Sequence, residues 1–185
     1  MKYVHPDDTN RKEIKAKAEP AIRFAEILLI YAEALNELED GSSYDIPSWD
    51  GSTSYSVKRD VDEMKKGIRQ VRRRAGVPDY TMPEYQDRDV FRKKLKRERQ
   101  IELFAEGHRF FDIRRWCDAP VEESVPMYGC NIYISKEDPA GFHTPVETTS
   151  MPTMFSTKMW FWPIHHYIMK RNLLMTQNPG WRDPE

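Results

Sequence analysis

Lys93–Trp116 reads KKLKRERQIELFAEGHRFFDIRRW, and this stretch decides the fold. Charged residues alternate in it with large apolar ones, as they do along a helix that is buried on one side. At 100° per residue, one arc of about 80° holds both apolar residues and glutamates; its members are Phe91, Leu95, Glu98, Glu102 and Ala105. A carboxylate on a core-facing stripe is costly unless it is paired and hydrogen-bonded. The stretch therefore predicts a helix whose acidic residues pair with nearby basic residues.

We expect an internal ionic cluster where this charged helix ends. Gly107 breaks the helix, and a second short helix over about 109–116 should leave at a new angle. The charged helix and its break together form the predicted segment 87–116. The side chains expected in the structural ionic cluster are Glu98, Arg99, Glu102, His108, Arg109, Asp112, Arg114 and Arg115.

The same acids also fit a second interpretation, an acid/base or metal site. Glycosidases place two carboxylates across a cleft, whereas Glu98 and Glu102 share one helix crowded by arginines, which keep carboxylates ionised and disfavour a general acid. Di-metal bundles use Glu-x-x-His, but Ala105 stands three residues after Glu102. The adjacent His165 and His166 point about 100° apart on a helix, so they rarely share a metal. We expect no catalytic site, no metal site and no cofactor.

The composition indicates a folded domain with no bulk attraction to nucleic acid or anionic lipid. At 185 residues, the chain is one domain or a large piece of one. Its net charge of −1 argues against bulk attraction to nucleic acid or anionic lipid. The basic runs Arg69–Arg74 and Arg92–Arg99 lack interleaved aromatics for base stacking. We expect these runs to be solvated helix faces and partners of acids, with no nucleic acid bound.

Periodicity organises the N-terminal part into helices, so the predicted fold is mainly α. Apolar residues at helical spacing predict one helix over about 21–39 and another over about 57–75. With their connector they form a tetratricopeptide-like helix pair over 21–76, somewhat longer than the usual repeat of about 34 residues.

The C-terminal segment 117–185 has many prolines and few periodic runs. We expect it to form a long irregular cover over the helices. Within it, short strands are predicted at 131–135 and 157–162, and a short helix at 165–171.

The connector 41–56 reads GSSYDIPSWDGSTSYS and is predicted to be a loop. Flat aromatic faces stack on sugar rings, and short polar groups bind hydroxyls, so this composition is typical of a glycan platform. Trp49 is the first candidate for ligand contact, with Tyr44 and Tyr55 as companions. Trp49 lies two residues beyond Pro47 and on no apolar stripe, which predicts an exposed side chain. The alternative is a packed or mobile loop with no ligand.

Four segments resemble, in order, the SusD/RagB-like proteins of Bacteroidetes. They are RFAEILLIYAEALNE (Arg23–Glu37), IRQVRRRAGVP (Ile68–Pro78), RERQIELFAEGHRFFDIRRW (Arg97–Trp116), and the pieces FWPI and NLLMTQNPGW within Phe161–Trp181. One departure is His165, because the family usually has proline near this position. The resemblance implies that 1–185 is the C-terminal portion of a SusD/RagB-like domain.

The resemblance also implies a function. It is non-catalytic binding of an oligosaccharide or other nutrient at the extracellular face of the outer membrane, with delivery to a TonB-dependent, SusC-like transporter. A second hypothesis is a structural or interaction module that docks on the transporter without contacting ligand.

The family's members are lipoproteins, and the sequence bears on this expectation at two places. The opening MKYVHPDDTN has no apolar segment of a signal peptide. Neither Cys117 nor Cys130 lies near the N-terminus, where a lipid anchor would be. We therefore expect the signal, the anchor and the family's N-terminal half to be missing from this chain. Whether the two cysteines pair or stay free remains open.

Overall fold

The computed structural model describes residues 21–132, 138–148, 153–172 and 174–182. In these ranges the fold is mainly α-helical, with eight α-helices, one 3₁₀ turn and two small antiparallel sheets of two strands each. The chain divides into two compact units, 1–106 and 107–185, which are described in turn.

The first unit is built on the helices α1 (Phe24–Glu37) and α2 (Val61–Arg74). Both lie inside the predicted spans, and α2 begins four residues later than expected because a strand occupies the residues before it. The Asp60 carboxylate caps α2 by accepting hydrogen bonds from the backbone N–H groups of Asp62 (2.9 Å) and Glu63 (3.1 Å).

The two helices cross closely at Gly67. A Cβ atom at this position would stand 2.5 Å from the carbonyl oxygen of Leu28 and 3.0 Å from the Cβ of Ala32. Around the crossing, Leu29 and Ile68 are fully buried. The small residues at the crossing let the backbones approach, so the larger side chains interdigitate on either side.

Two further helices complete the core of this unit. They are α3 (Met82–Gln86) and α4 (Arg88–Glu102), and they contribute the fully buried Tyr85 and Phe91. The sequence analysis did not predict α3, although Thr81 and Glu84 form a capping box at its start.

The charged helix α4 ends at Glu102, before the predicted break at Gly107. Ala105 adopts a left-handed φ of 60°, which a residue with a Cβ rarely does. Gly107, the predicted breaker, has φ 80° and is the N-cap of the next helix. The chain therefore leaves the helix before Gly107, through a short turn.

The prediction of a loop over 41–56 is wrong, because most of this connector is a β-hairpin. Strand β1 (Ser43–Pro47) pairs antiparallel with β2 (Ser54–Lys58). Each strand alternates apolar and polar residues, which is the period of a strand with two different faces. Gly51, at φ 70°, lies in the turn between the strands.

The second unit begins with α5 (His108–Arg115), which confirms the predicted short helix to within one residue, and continues with α6 (Ala119–Glu122). Strands β3 (Tyr128–Gly129) and β4 (Val146–Glu147) pair antiparallel around α7 (Pro139–Phe142). The unit ends with a 3₁₀ turn, η1 (Thr157–Trp160), and α8 (His166–Arg171).

Two predictions in this segment have different outcomes. The predicted strand at 157–162 is wrong, because Thr157–Trp160 forms the 3₁₀ turn. Most of the strand predicted at 131–135 lies outside the described residues. Cys117 and Cys130 are both exposed and free.

Candidate functional site

The three predicted ligand residues lie on the hairpin of β1 and β2. Tyr44 stands opposite Val57, and Ile46 stands opposite Tyr55. Directly opposed residues of an antiparallel pair share a face, as do alternate residues of one strand. All four side chains therefore lie on one face of the hairpin, which is apolar. The other face carries Ser43, Asp45, Pro47, Ser54, Ser56 and Lys58.

This apolar face is open. Tyr44 is 38% exposed, Ile46 50% and Tyr55 59%, while Val57 is half-buried. A hairpin of two strands has no interior of its own to cover such a face. Exposed aromatic and aliphatic side chains that gather in one patch are the usual mark of a recognition surface.

Trp49 occupies the tip of the hairpin and is 98% exposed, as predicted. The turn that presents it is held by backbone hydrogen bonds from the N–H of Ser48 to the carbonyl of Thr53 (2.7 Å) and from the N–H of Gly51 to the carbonyl of Ser48 (2.9 Å). The indole therefore projects from an ordered turn without packing against the protein.

The Asp50 carboxylate is a second element that orders this turn. It accepts hydrogen bonds from the hydroxyl of Ser48 (2.6 Å) and from the N–H (3.1 Å) and hydroxyl (2.8 Å) of Ser52. The Ser48 hydroxyl, followed by the Ser52 groups, lowers the pKa of Asp50 to about 2. The carboxylate is thus ionised at neutral pH beside Trp49, and its Oδ2 atom takes part in none of these hydrogen bonds.

The predicted ionic cluster begins with Glu98, which is buried at 7% exposure. Its carboxylate accepts hydrogen bonds from the Arg72 guanidinium (2.5 Å) and the Tyr80 hydroxyl (3.0 Å). Burial, followed by the charge of Glu98, raises the pKa of Tyr80. Arg72 also stacks over the Tyr80 ring at 3.9 Å. These contacts join α2 to α4.

Glu102 is half-buried and lies between two arginines. Arg23 donates to it at 2.9 Å, and Arg74 lies 2.5 Å from its other oxygen. Burial acts to raise the pKa of Glu102, but the hydrogen bonds from Arg74 and Arg23 outweigh it, so this pKa lies below its ordinary value. Arg23 also donates to Glu106 at 2.7 Å, and this bond is the largest cause of a raised pKa for Arg23.

The remaining cluster residues also have charged neighbours within their own units. In the first unit, the buried Arg99 lies 3.8 Å from Glu33. In the second unit, the pairs are Arg109 with Glu122 (2.6 Å), Arg114 with Glu123 (2.9 Å) and Arg115 with Asp112 (2.8 Å). His108 is half-buried at the start of α5.

Four partners of the glutamates were not predicted from the sequence: Arg23, Arg72, Arg74 and Tyr80. The expected partners were basic residues close to the glutamates in the chain, whereas these four residues come from segments that precede α4. A usable signal was present, because Arg72 lies beside the apolar stripe of α2 and a helical wheel places it on the edge of the core. The hydrogen bonds from Arg74 and Arg23 thus keep Glu102 ionised, and the ion pairs of both glutamates join helices, which favours a structural role.

The histidine pair contains no sign of a metal site. The His165 Nδ1 accepts a hydrogen bond from the backbone N–H of Tyr167 (3.2 Å) and so caps α8. Across the described ranges, no group of three or more His, Cys, Asp or Glu side chains is arranged to hold a metal ion. None of the helices described has the length and apolar character that a membrane crossing requires.

The chain is similar to known proteins in sequence and in fold. The sequence pattern of the SusD family matches residues 1–181. The fold is similar to that of a SusD-like protein from Bacteroides fragilis, with a TM-score of 0.61 and 24% identity over 87% of this chain and 25% of that one. None of the curated proteins compared matches this chain.

Two structures of the protein BT4246 are also similar. The selenomethionine form has a TM-score of 0.67 and 26% identity over 89% of this chain and 25% of that one. The other structure has a TM-score of 0.65 and 25% identity over 89% of this chain and 24% of that one. The chain therefore spans about a quarter of the length of these solved relatives.

Proposed function

We propose a function for this chain on the premise that it belongs to the SusD family, to which the match over residues 1–181 assigns it. This family is associated with glycan and nutrient binding. Its members are binding proteins rather than enzymes, and they are generally associated with the outer membrane. We propose that the chain takes part in capturing an oligosaccharide at the outer-membrane surface and in delivering it to a TonB-dependent, SusC-like transporter.

The observation that carries this proposal is the aromatic hairpin. Trp49 projects from an ordered tip, and Tyr44 and Tyr55 lie on one open face below it. An aromatic side chain offers a large rigid surface at a small cost in conformational entropy. Serine hydroxyls and the Asp50 carboxylate at the tip supply hydrogen-bonding groups next to that surface. This combination suits a sugar, which has apolar C–H faces and a rim of hydroxyls.

The electrostatics support a role in binding rather than turnover. Glycoside hydrolysis needs a carboxylic acid whose pKa is raised so that it donates a proton. Glu102 instead has a lowered pKa and sits between Arg23 and Arg74, and Glu98 accepts from Arg72. These carboxylates join helices to one another and do not flank a cleft.

The test is affinity electrophoresis of the chain through gels that contain single glycans. We expect at least one glycan to slow the chain, and Trp49→Ala to remove most of that retardation. Trp162→Ala is the matched control, since it removes another exposed tryptophan, which lies in the second unit. Equal loss in both variants, or no retardation by any glycan, would contradict the proposed platform. Release of reducing ends from a glycan would contradict the non-catalytic role.

A second candidate function is docking on the transporter without ligand contact. A face of α1 favours it, because Ile27 and Ile30 are exposed on the side opposite the buried Ala25, Leu29 and Ala32, and Phe24 and Tyr31 are exposed at the edge of that face. A helix with two apolar faces is suited to packing on both sides. In a pull-down with a SusC-like transporter in detergent, Ile27→Asp should abolish retention. Retention unchanged by Ile27→Asp would contradict docking through this face.

A further inference from the structure

The outward side of α2 is a second surface that the aromatic hairpin does not use. The basic run Arg69–Arg74 divides in two in the structure. Arg72 and Arg74 turn inward to Glu98 and Glu102. Arg69 and Arg73 instead line an open groove of about 360 Å³, together with Asp62, Lys65, Lys66 and Gln70.

Helix geometry aligns the accessible cations of this groove in a row. Lys66, Arg69 and Arg73 are separated by three and four residues, so they are neighbours on one face of α2. With a rise of about 1.5 Å per residue, the row extends about 10 Å along the helix axis. Arg73 is exposed, and the side chains of Lys66 and Arg69 are each 64% exposed.

The acids near this row only partly balance its charge. Lys65 lies 3.3 Å from Asp62, Lys66 pairs with Glu63, and Arg69 is 3.7 Å from Asp79. Arg73 has no ion-pair partner among the residues that the structure describes. Among the described residues, the four cations of the groove, Lys65, Lys66, Arg69 and Arg73, thus face three acids, which leaves a surplus of one positive charge at Arg73.

This surplus is not explained by the stability of the helix. Like charges four residues apart destabilise a helix, and both Lys65 with Arg69 and Arg69 with Arg73 have that spacing. The helix dipole favours cations only in the last turn, which accounts for Arg73 but not for the lysines or Arg69. An anionic ligand would relieve the repulsion along the whole row.

We propose that this row, Lys66–Arg69–Arg73, binds the carboxylate or sulfate groups of an acidic oligosaccharide. The inference rests on the proposed glycan-binding function and names a substrate class for it. Arginine binds such planar or oxygen-rich anions through two parallel N–H donors, and lysine acts as a compact point charge. A linear sugar chain lying along α2 would place successive anionic groups against the row.

The groove lining argues against two other polyanions. The described residues that line it include no aromatic side chain for stacking on nucleic-acid bases. They also include no apolar side chain to insert into a lipid layer, as interfacial helices do. Clusters of basic residues are found at sites for nucleic acids and for anionic polysaccharides such as heparin, and this lining favours the polysaccharide.

The experiment is isothermal titration of the chain with tetragalacturonate, with maltotetraose as the neutral counterpart of equal length. We expect binding of the acidic tetrasaccharide, weakened at least tenfold by the double variant Arg69→Gln/Arg73→Gln. The matched control is Lys93→Gln/Arg97→Gln, which removes two exposed cations at the same spacing from α4 and should change affinity less than twofold. Raising the salt from 0.05 to 0.3 M should weaken binding in the parent chain.

Three results would overturn the inference. They are no binding of tetragalacturonate, an equal loss of affinity in both double variants, and binding of a short DNA duplex as tight as that of tetragalacturonate. The failure of the hairpin proposal is distinguishable from these. Trp49→Ala reports on the hairpin, so a parent chain that does not bind tetragalacturonate but keeps a Trp49-dependent response to a neutral glycan refutes only the row on α2. Circular dichroism of each variant checks that α2 remains folded.

Discussion

The crossing of α1 and α2 gives a prediction in which two opposing effects have known sizes. Replacing a helical glycine by alanine normally stabilises by about 1 kcal/mol. In Gly67→Ala, however, the new Cβ would stand 2.5 Å from the backbone oxygen of Leu28, and α1 must move because no flexible side chain is there to yield. Overpacking of this kind costs about 1–3 kcal/mol, here toward the upper end. We expect a net loss of about 2 kcal/mol.

The measurement is urea denaturation followed by far-ultraviolet circular dichroism, which gives the free energy of unfolding. For a chain of this size, the same loss should lower Tm by about 4–8 °C. Gln70→Ala is the control, since it changes helix propensity on the exposed side of the same helix and should stay within about 0.5 kcal/mol. A Gly67→Ala variant as stable as the parent would refute the close crossing.

Three other predictions concern the charged residues and the hairpin. Glu98→Ala should lower the free energy of unfolding by about 3 kcal/mol. This value is at the lower end of the cost of breaking a buried ion pair, because Arg72 keeps its hydrogen bond to the carbonyl of Pro78. A variant as thermally stable as the parent would contradict this. Glu102 has a lowered pKa in the folded state. Its contribution to folding stability is therefore present above its unfolded-state pKa and is lost as the pH falls through its folded-state pKa. Between pH 7 and pH 3, the parent should lose more stability than Glu102→Gln. Trp49→Ala should stay within about 0.5 kcal/mol of the parent by urea denaturation, and a larger loss would show that Trp49 packs against the protein.

The burial of Glu98 was predictable from the sequence, whereas its partner was not. Burial follows from the position of Glu98 on the stripe that holds Phe91 and Leu95, and a helical wheel needs only local information. The partner Arg72 lies 26 residues away, on another helix. Several arginines near α4 were equally suitable by charge, and only the packing of α2 against α4 selects one of them.

The hairpin shows a different limit of pattern reading. Tyr44 and Ile46 alternate with polar residues, and so do Tyr55 and Val57, but each run holds only two apolar residues. Gly, Ser and Asp between them favour a loop by composition. The Asp50-Gly51 pair is also a strong hairpin signal when it lies between two alternating runs. Combining the two signals predicts β1 and β2, whereas composition alone hides them.

The structure of the aromatic tip and the exposure of the apolar face of α1 would depend to different degrees on further segments of a longer protein. The tip is ordered by contacts within six residues, from Ser48 to Thr53 and through Asp50. Its recognition chemistry is therefore local and should be the same in this chain as in one four times longer. The face of α1 that carries Ile27 and Ile30 is exposed among the described residues, and an added helix would bury it. Glycan titration of this chain thus tests the hairpin directly, whereas Ile27→Asp reports on whichever surface packs against α1.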